Sequence, residues 1–89
     1  MTKKMIGIYE LKSQTNVVEI PSDGNIVSVQ TLKDHVCLCV LQGAEGPFNM
    51  VKRTFIVRGS GYPFDSSDNE EYVGTISENN VIVHVFEQI

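Results

Sequence analysis

Long apolar segments are the first thing that this 89-residue sequence lacks. The longest apolar runs, at residues 36–41 and 81–86, are about six residues long, whereas a membrane-spanning helix needs roughly 18 or more. Lys3 and Lys4 stand near the start, but the apolar core of a signal peptide does not follow them. We therefore expect a cytoplasmic protein that does not contact a membrane.

Cysteine is scarce, with only Cys37 and Cys39 in the chain. On a strand these residues point to the same side about 6.5 to 7 Å apart, beyond disulfide reach, so we expect two reduced, buried thiols. His35 and His84 could join them in a zinc site. However, three successive side chains on one side of a strand do not converge on a tetrahedral ion, so we expect no metal and no cofactor.

Positive charge is also in short supply. Seven Lys and Arg residues stand against eleven Asp and Glu residues, which gives a formal charge of −4. This balance argues against binding to the nucleic-acid backbone. Because 42% of the residues are hydrophobic and 20% are charged, the chain does not have the composition of a disordered protein. Its length leaves room for one core, so we predict a single β domain over residues 1–89.

What the sequence does have is the period of two that is typical of strands, with no convincing helical window. Strands are predicted at residues 5–11, 17–20, 25–32, 35–41, 50–58, 72–76 and 81–87. Lys33-Asp34 predicts a tight hairpin, and residues 12–16 a turn. The run at 35–41 is apolar on both sides, which indicates a central strand covered on both faces. The fold class is therefore all-β, a small antiparallel β-sandwich or barrel of about seven short strands.

Four short motifs follow one another in the second part of the chain: Arg53-Thr54-Phe55, Gly59-Ser60-Gly61-Tyr62-Pro63, Tyr72-Val73-Gly74-Thr75 and His84-Val85-Phe86-Glu87. This pattern resembles a family of small proteins encoded by tailed phages and prophages and described only as a domain of unknown function. The resemblance implies a phage or prophage origin, and hence a place in the host cell cytoplasm. It implies no activity.

The glycine-rich turn is the best candidate for a ligand site. Its backbone N–H groups can approach a phosphate, while the neighbouring cations and aromatic rings can pair with charge and stack on a base. The predicted ligand-binding residues are Lys52, Arg58, Gly59, Ser60, Gly61, Tyr62 and Phe64. The alternative is a structural turn that needs glycine for positive φ and proline for rigidity.

Catalytic residues are not evident. His84 could act as a general base only with a nucleophile beside it, and the sequence shows none. An apolar strand raises the pKa of a thiol, which disfavours Cys37 as a nucleophile. We therefore expect no enzymatic activity. The acidic residues Asp65, Asp68, Glu70 and Glu71 are interpreted as a solvated loop or as a patch that meets a basic partner.

Three functions agree with these features. The first is a non-catalytic counter-defence protein that sequesters a small, anionic, nucleotide-like immune signal. The second is an inhibitor that contacts a host defence protein directly, as anti-CRISPR proteins do. The third is a structural or virion accessory protein. Apolar runs on both faces of so small a domain also predict a homo-oligomer.

Overall fold

The computed structural model describes residues 3–66 and 69–89, and Asp68 of the acidic stretch lies outside them. The regular structure consists of seven strands: β1 (Lys4–Leu11), β2 (Thr15–Pro21), β3 (Asn25–Leu32), β4 (His35–Gly43), β5 (Met50–Gly59), β6 (Glu70–Glu78) and β7 (Val81–Gln88). No helix in these two ranges is long and apolar enough to cross a membrane.

The strands form two antiparallel sheets. The first has the order β1-β4-β3 and the second the order β2-β5-β7-β6. Their facing sides bury an apolar core, which consists of Leu11, Ile20, Val29, Val36, Leu38, Val40, Phe55 and Val85. The predicted all-β fold and antiparallel sandwich are confirmed.

Two hairpin turns have backbone angles that match the twist of the strands they join. Lys33 and Asp34 have φ values of 51° and 65°, and Asn79 and Asn80 have values of 48° and 65°. Positive φ at both central residues is the type I′ geometry, which favours two-residue hairpins. The tight hairpin predicted at Lys33-Asp34 is therefore confirmed.

The two sheets approach each other closely where β3 meets β6. A Cβ atom on Gly74 would lie 2.9 Å from Cγ2 of Val29, so glycine is required for this contact. The Thr31 hydroxyl donates to the Ser77 carbonyl at 3.1 Å across the same junction. Small side chains and one hydrogen bond thus close this side of the sandwich.

Two strands, β2 and β6, begin two residues before their predicted starts, and the other strand ends differ from the prediction by at most two residues. β2 begins at Thr15, inside the predicted turn, because the Asn16 side chain closes the turn while its backbone pairs with Phe55. Asn16 Oδ1 accepts from the Ser13 N–H at 2.9 Å, and Asn16 Nδ2 donates to the Ser13 carbonyl at 2.7 Å. β6 begins at Glu70, which was assigned to the acidic loop, because Glu70 already pairs with Gln88 of β7.

The central strand β4 was expected to be covered on both faces. Its inner side chains Val36, Leu38 and Val40 are buried, and so is Cys37 on the outer side, but Cys39 and Leu41 on the outer side remain partly exposed. The prediction of full cover, and of burial for both thiols, is therefore wrong at Cys39 and Leu41, because the sandwich has two layers and β4 lies in one of them.

The core between the sheets dominates the stability. Ile20 on β2 is fully buried, whereas Ile82 on the outer side of β7 is 51% exposed. We expect Ile20→Ala to lower the free energy of unfolding by about 2–5 kcal/mol through lost burial and a cavity. Ile82→Ala, the matched control, should cost less than about 1 kcal/mol. Urea denaturation measures both, and equal losses would contradict the assignment of the core.

Candidate functional site

The outer face of the four-stranded sheet brings together motifs that are far apart in the sequence. The register places Arg58 of β5 opposite His84 of β7, and His84 opposite Thr75 of β6. In the same sheet, Tyr72 lies opposite Phe86. The glycine-rich turn, the Tyr-Val-Gly-Thr motif and the His-Val-Phe-Glu motif therefore meet on one surface.

A chain of hydrogen bonds crosses this surface. Ser60 Oγ lies 2.6 Å from His84 Nε2, and His84 Nδ1 lies 2.8 Å from Thr75 Oγ1, which also bonds the Tyr72 hydroxyl. The Ser60 N–H donates to the Ile82 carbonyl at 2.9 Å, which fixes the serine beside the imidazole. Both ring nitrogens of His84 are thus held by hydroxyl groups.

The sequence alone shows no partner for His84, and the fold supplies Ser60. The two residues are 24 positions apart, and only the pairing of β5 with β7 relates them. The sequence offers one indication of this contact, because Ser60 and His84 both belong to the four motifs of the second part of the chain. A bonded hydroxyl and imidazole on an exposed surface can hydrogen-bond a ligand, or exchange a proton with one.

Arg58 organises the loop that follows β5. Its guanidinium bonds both carboxylate oxygens of Glu70, at 2.5 and 3.1 Å, and the Arg58 side chain is only 14% exposed. The guanidinium carbon also lies 3.9 Å from the centroid of Phe64 and 4.9 Å from that of Phe86. The bond to Glu70 raises the pKa of Arg58, and the same bond lowers the pKa of Glu70. The positive charge of Arg58 is therefore already paired.

A cavity of about 590 Å³ opens beside this loop. This volume lies within the range of roughly 300–1,000 Å³ that is usual for small-molecule sites. The cavity is lined by Gln14, Thr15, Ile56, Arg58, Gly59, Tyr62, Pro63 and Phe64. Four of these residues, Arg58, Gly59, Tyr62 and Phe64, were predicted from the sequence as ligand contacts.

Aromatic rings line and support the cavity. The Phe64 ring packs on Phe86 with 5.8 Å between centroids. Tyr62 lies over Gly59, where a Cβ atom would come within 3.1 Å of the ring, and Tyr62 is 74% exposed. Gly61 has a φ of +88°, so the turn needs glycine there. Phe64 thus anchors the loop, while Tyr62 presents its ring to solvent.

The other predicted ligand residues lie outside the cavity lining. Ser60 turns toward His84, and Gly61 forms the exposed tip of the turn. Lys52 lies six residues before Arg58 on β5, roughly 20 Å away by the rise of a strand, opposite Glu19 of β2. The structure therefore brings residues 58–64 together and places Lys52 at a different part of the sheet.

Among the candidate zinc ligands, His35, Cys37 and Cys39 lie on β4 of the other sheet, whereas His84 lies on β7. Burial raises the pKa of the Cys37 thiol, which lies 3.8 Å from the His35 carbonyl. His35 Nδ1 faces Glu10 Oε1 at 3.1 Å. Within residues 3–66 and 69–89, no group of three or more His, Cys, Asp or Glu side chains is placed to hold a metal ion.

The acidic stretch does not form one solvated patch. Asp65 and Glu71 are exposed, but the Glu70 side chain is only 12% exposed because it pairs with Arg58. The prediction of a solvated acidic loop is therefore wrong for Glu70, which is part of the support of the candidate site.

The molecule is thus a small two-layer β-sandwich with a loop-flanked cavity on the outer face of one sheet. A model of a domain of unknown function (DUF7352) matches residues 2–89, and the chain belongs to this family. No curated protein matches the chain significantly, and no solved structure does so either.

The pairing of Arg58 with Glu70 predicts a pH dependence. Because the pKa of Glu70 is lowered in the folded state, its contribution to stability is complete above the ordinary glutamate pKa and is lost as pH falls through the lowered value. Glu70→Gln should therefore lower the melting temperature at pH 7, and this difference should shrink as the pH falls below the ordinary glutamate pKa of about 4.3.

Glu45→Gln is the control, because this carboxylate is 73% exposed in its ion pair with Lys3. Thermal melts of the wild type and both variants across this pH range measure the effect. A constant difference between Glu70→Gln and wild type at all pH values would contradict the ion pair.

Proposed function

We propose that this protein is a non-catalytic binder that sequesters a small, nucleotide-like ligand in the cavity beside residues 58–64. The observation that carries the proposal is the position of the cavity. The glycine-rich loop that the sequence predicts as a ligand site also lines the cavity of about 590 Å³.

Stacking is the main source of affinity in this proposal. The Tyr62 ring is 74% exposed at the cavity, and base stacking on an aromatic side chain is worth about 1–3 kcal/mol. Polar groups for orientation come from Gln14 and Thr15. The Val57 N–H donates to the Gln14 carbonyl at 2.8 Å, which ties this wall of the cavity to β5.

Charge contributes less than stacking to the affinity in this proposal. Two Arg58 donors already bond Glu70, so a phosphate on the ligand would share the guanidinium with that carboxylate. The formal charge of −4 further disfavours a highly charged ligand or a nucleic-acid backbone. We therefore favour a ligand with an aromatic base and few negative charges.

The hydrogen bonds that link Ser60, His84 and Thr75 agree better with a binding role than with catalysis. The described contacts of His84 are with the hydroxyl groups of Ser60 and Thr75 and not with a carboxylate, which would stabilise an imidazolium. Ser60 and His84 in this view hold the turn that carries Tyr62, and no cofactor is required.

The biological setting rests on the motif pattern, which resembles phage and prophage proteins. We propose a counter-defence role in the cytoplasm of the host cell, with an immune signal as the ligand. A homo-oligomer is part of the proposal, because exposed apolar side chains are numerous for so small a domain.

Tyr62→Ala should abolish ligand binding without unfolding the protein, because the ring is mostly exposed. Native mass spectrometry of protein purified gently from an expressing bacterium should show an added mass of about a few hundred daltons per site, the mass of a drug- or nucleotide-sized ligand. Tyr62→Ala should lack this mass. Phe48→Ala, an aromatic residue 43% exposed in the loop between β4 and β5, is the matched control and should keep it.

The absence of added mass on wild-type protein, purified from cells in which it shows the counter-defence activity, would contradict sequestration. Charge reversal at Asp65 and Glu71 would then test direct contact with a basic host defence protein, with co-purification of that protein as the readout. Presence in purified virions, with neither set of variants affecting activity, would favour the structural or accessory function.

A further inference from the structure

The outer face of the three-stranded sheet is a second surface, distinct from the cavity. We call it the β1-β4-β3 face. The register places Ile6 opposite Leu41 and Ile8 opposite Cys39, which makes a contiguous apolar block on β1 and β4. Val27 lies at the bulge of β3 beside this block.

The side chains of this face remain in contact with solvent. Ile6 is 50% exposed, Ile8 is 58% exposed and Val27 is 50% exposed. On the other sheet, Phe64 folds back onto Phe86 and covers part of the outer face. Contiguous apolar surface of this kind marks an interaction site in soluble proteins.

The exposed area of the whole chain is also large. The chain exposes 6066 Å², about 900 Å² more than the size law for monomeric proteins gives at 9.9 kDa. Its radius of gyration is 13.7 Å, against about 12.1 Å for a compact chain of this length. This excess belongs to the whole surface and follows from the flat shape of the molecule, whose extents are 45 × 30 × 18 Å, so the outer faces of the sheets make up much of the exposed area.

Charge on the β1-β4-β3 face is balanced. Lys4 and Glu10 lie on the outer side of β1, at opposite ends of the apolar block. Lys4 Nζ lies 3.8 Å from Asp23, and Glu10 lies 3.1 Å from His35. The formal charge of −4 therefore resides elsewhere, and the face offers no excess charge to attract a basic or an acidic partner.

From the apolar composition of this flat face and from the opposite charges of Lys4 and Glu10 at its two ends, we propose that its partner is a second copy of the chain. Two copies pack face to face about a two-fold axis, and the block of Ile6, Ile8, Cys39 and Leu41 meets its own equivalent. The cavity lies on the outer face of the opposite sheet, so each copy keeps an open site. The dimer does not depend on the proposed ligand.

Sedimentation velocity over a range from low micromolar to near-millimolar protein tests the dimer. The wild type should approach twice the chain mass of 9.9 kDa. Ile8→Lys places an unpaired charge in the interface and should weaken association roughly 100-fold or more. Val17→Lys is the matched control, because Val17 is 64% exposed on β2 of the other sheet and should leave the dimer intact.

Ile8→Thr keeps a β-branched side chain and guards against loss of the fold, which circular dichroism monitors. It should also weaken the dimer. A wild type that stays monomeric at the highest concentration would overturn the proposal. A dimer that persists unchanged in folded Ile8→Lys and Ile8→Thr would also overturn it. The same holds if Val17→Lys dissociates the dimer.

Thiol labelling provides a second readout, because Cys39 lies in the apolar block. Its rate of reaction with a maleimide should fall as wild-type protein is concentrated into the dimer. In Ile8→Lys the rate should not depend on protein concentration. An equal dependence in both proteins would place the interface on another surface.

Discussion

The contact of Arg58 with Glu70 holds together the surface on which the candidate site is built. It joins β5 to the first residue of β6, and the guanidinium lies against rings from the intervening loop and from β7. A planar guanidinium can satisfy a carboxylate through its edge while its faces contact aromatic rings. One side chain thereby fixes the position of Phe64 and the course of the loop, and the cavity forms beside it.

The 89 residues form only two layers, so each sheet has one outer face that no further layer covers. These two outer faces differ. On the four-stranded sheet, the loop after β5 folds back and covers Phe86, which leaves a cavity at its margin. On the three-stranded sheet, Ile6 and Ile8 stay in solvent. The proposed dimer would cover this apolar block without blocking the cavity, so the proposed binding and assembly would take place on opposite sides of the sandwich.

Much of the fold follows from local patterns. Alternation of side chains predicted the seven strands, and the two-residue hairpin at Lys33-Asp34 followed from the spacing of the strands beside it. The glycine-rich turn and its neighbours predicted four of the eight residues that line the cavity, because a glycine turn flanked by aromatic side chains is a local feature. These features depend on neighbours in the sequence, so a single sequence is enough to indicate them.

Other features depend on pairing between distant strands and could not be predicted from one sequence. The sequence places Glu70 in an acidic stretch that predicts a solvated loop, whereas the structure pairs its backbone with Gln88 and its side chain with Arg58. Ser60 and His84 came together only through the register of β5 and β7. A shift of one residue in that register would turn His84 to the core, and no local signal in the sequence specifies the register.

If the cavity binds a ligand as proposed, the pairing of Arg58 with Glu70 also sets the kind of ligand that it favours. If Arg58 were unpaired, it would attract any small anion, including abundant inorganic phosphate. Because Glu70 occupies it, an anion alone gains little, whereas a ligand that also stacks on Tyr62 gains from both contacts. In the proposed function, an internal ion pair beside an exposed aromatic ring would therefore select for ligands that carry a base as well as charge, which is the property that a protein sequestering one nucleotide-like signal among many cellular anions would require.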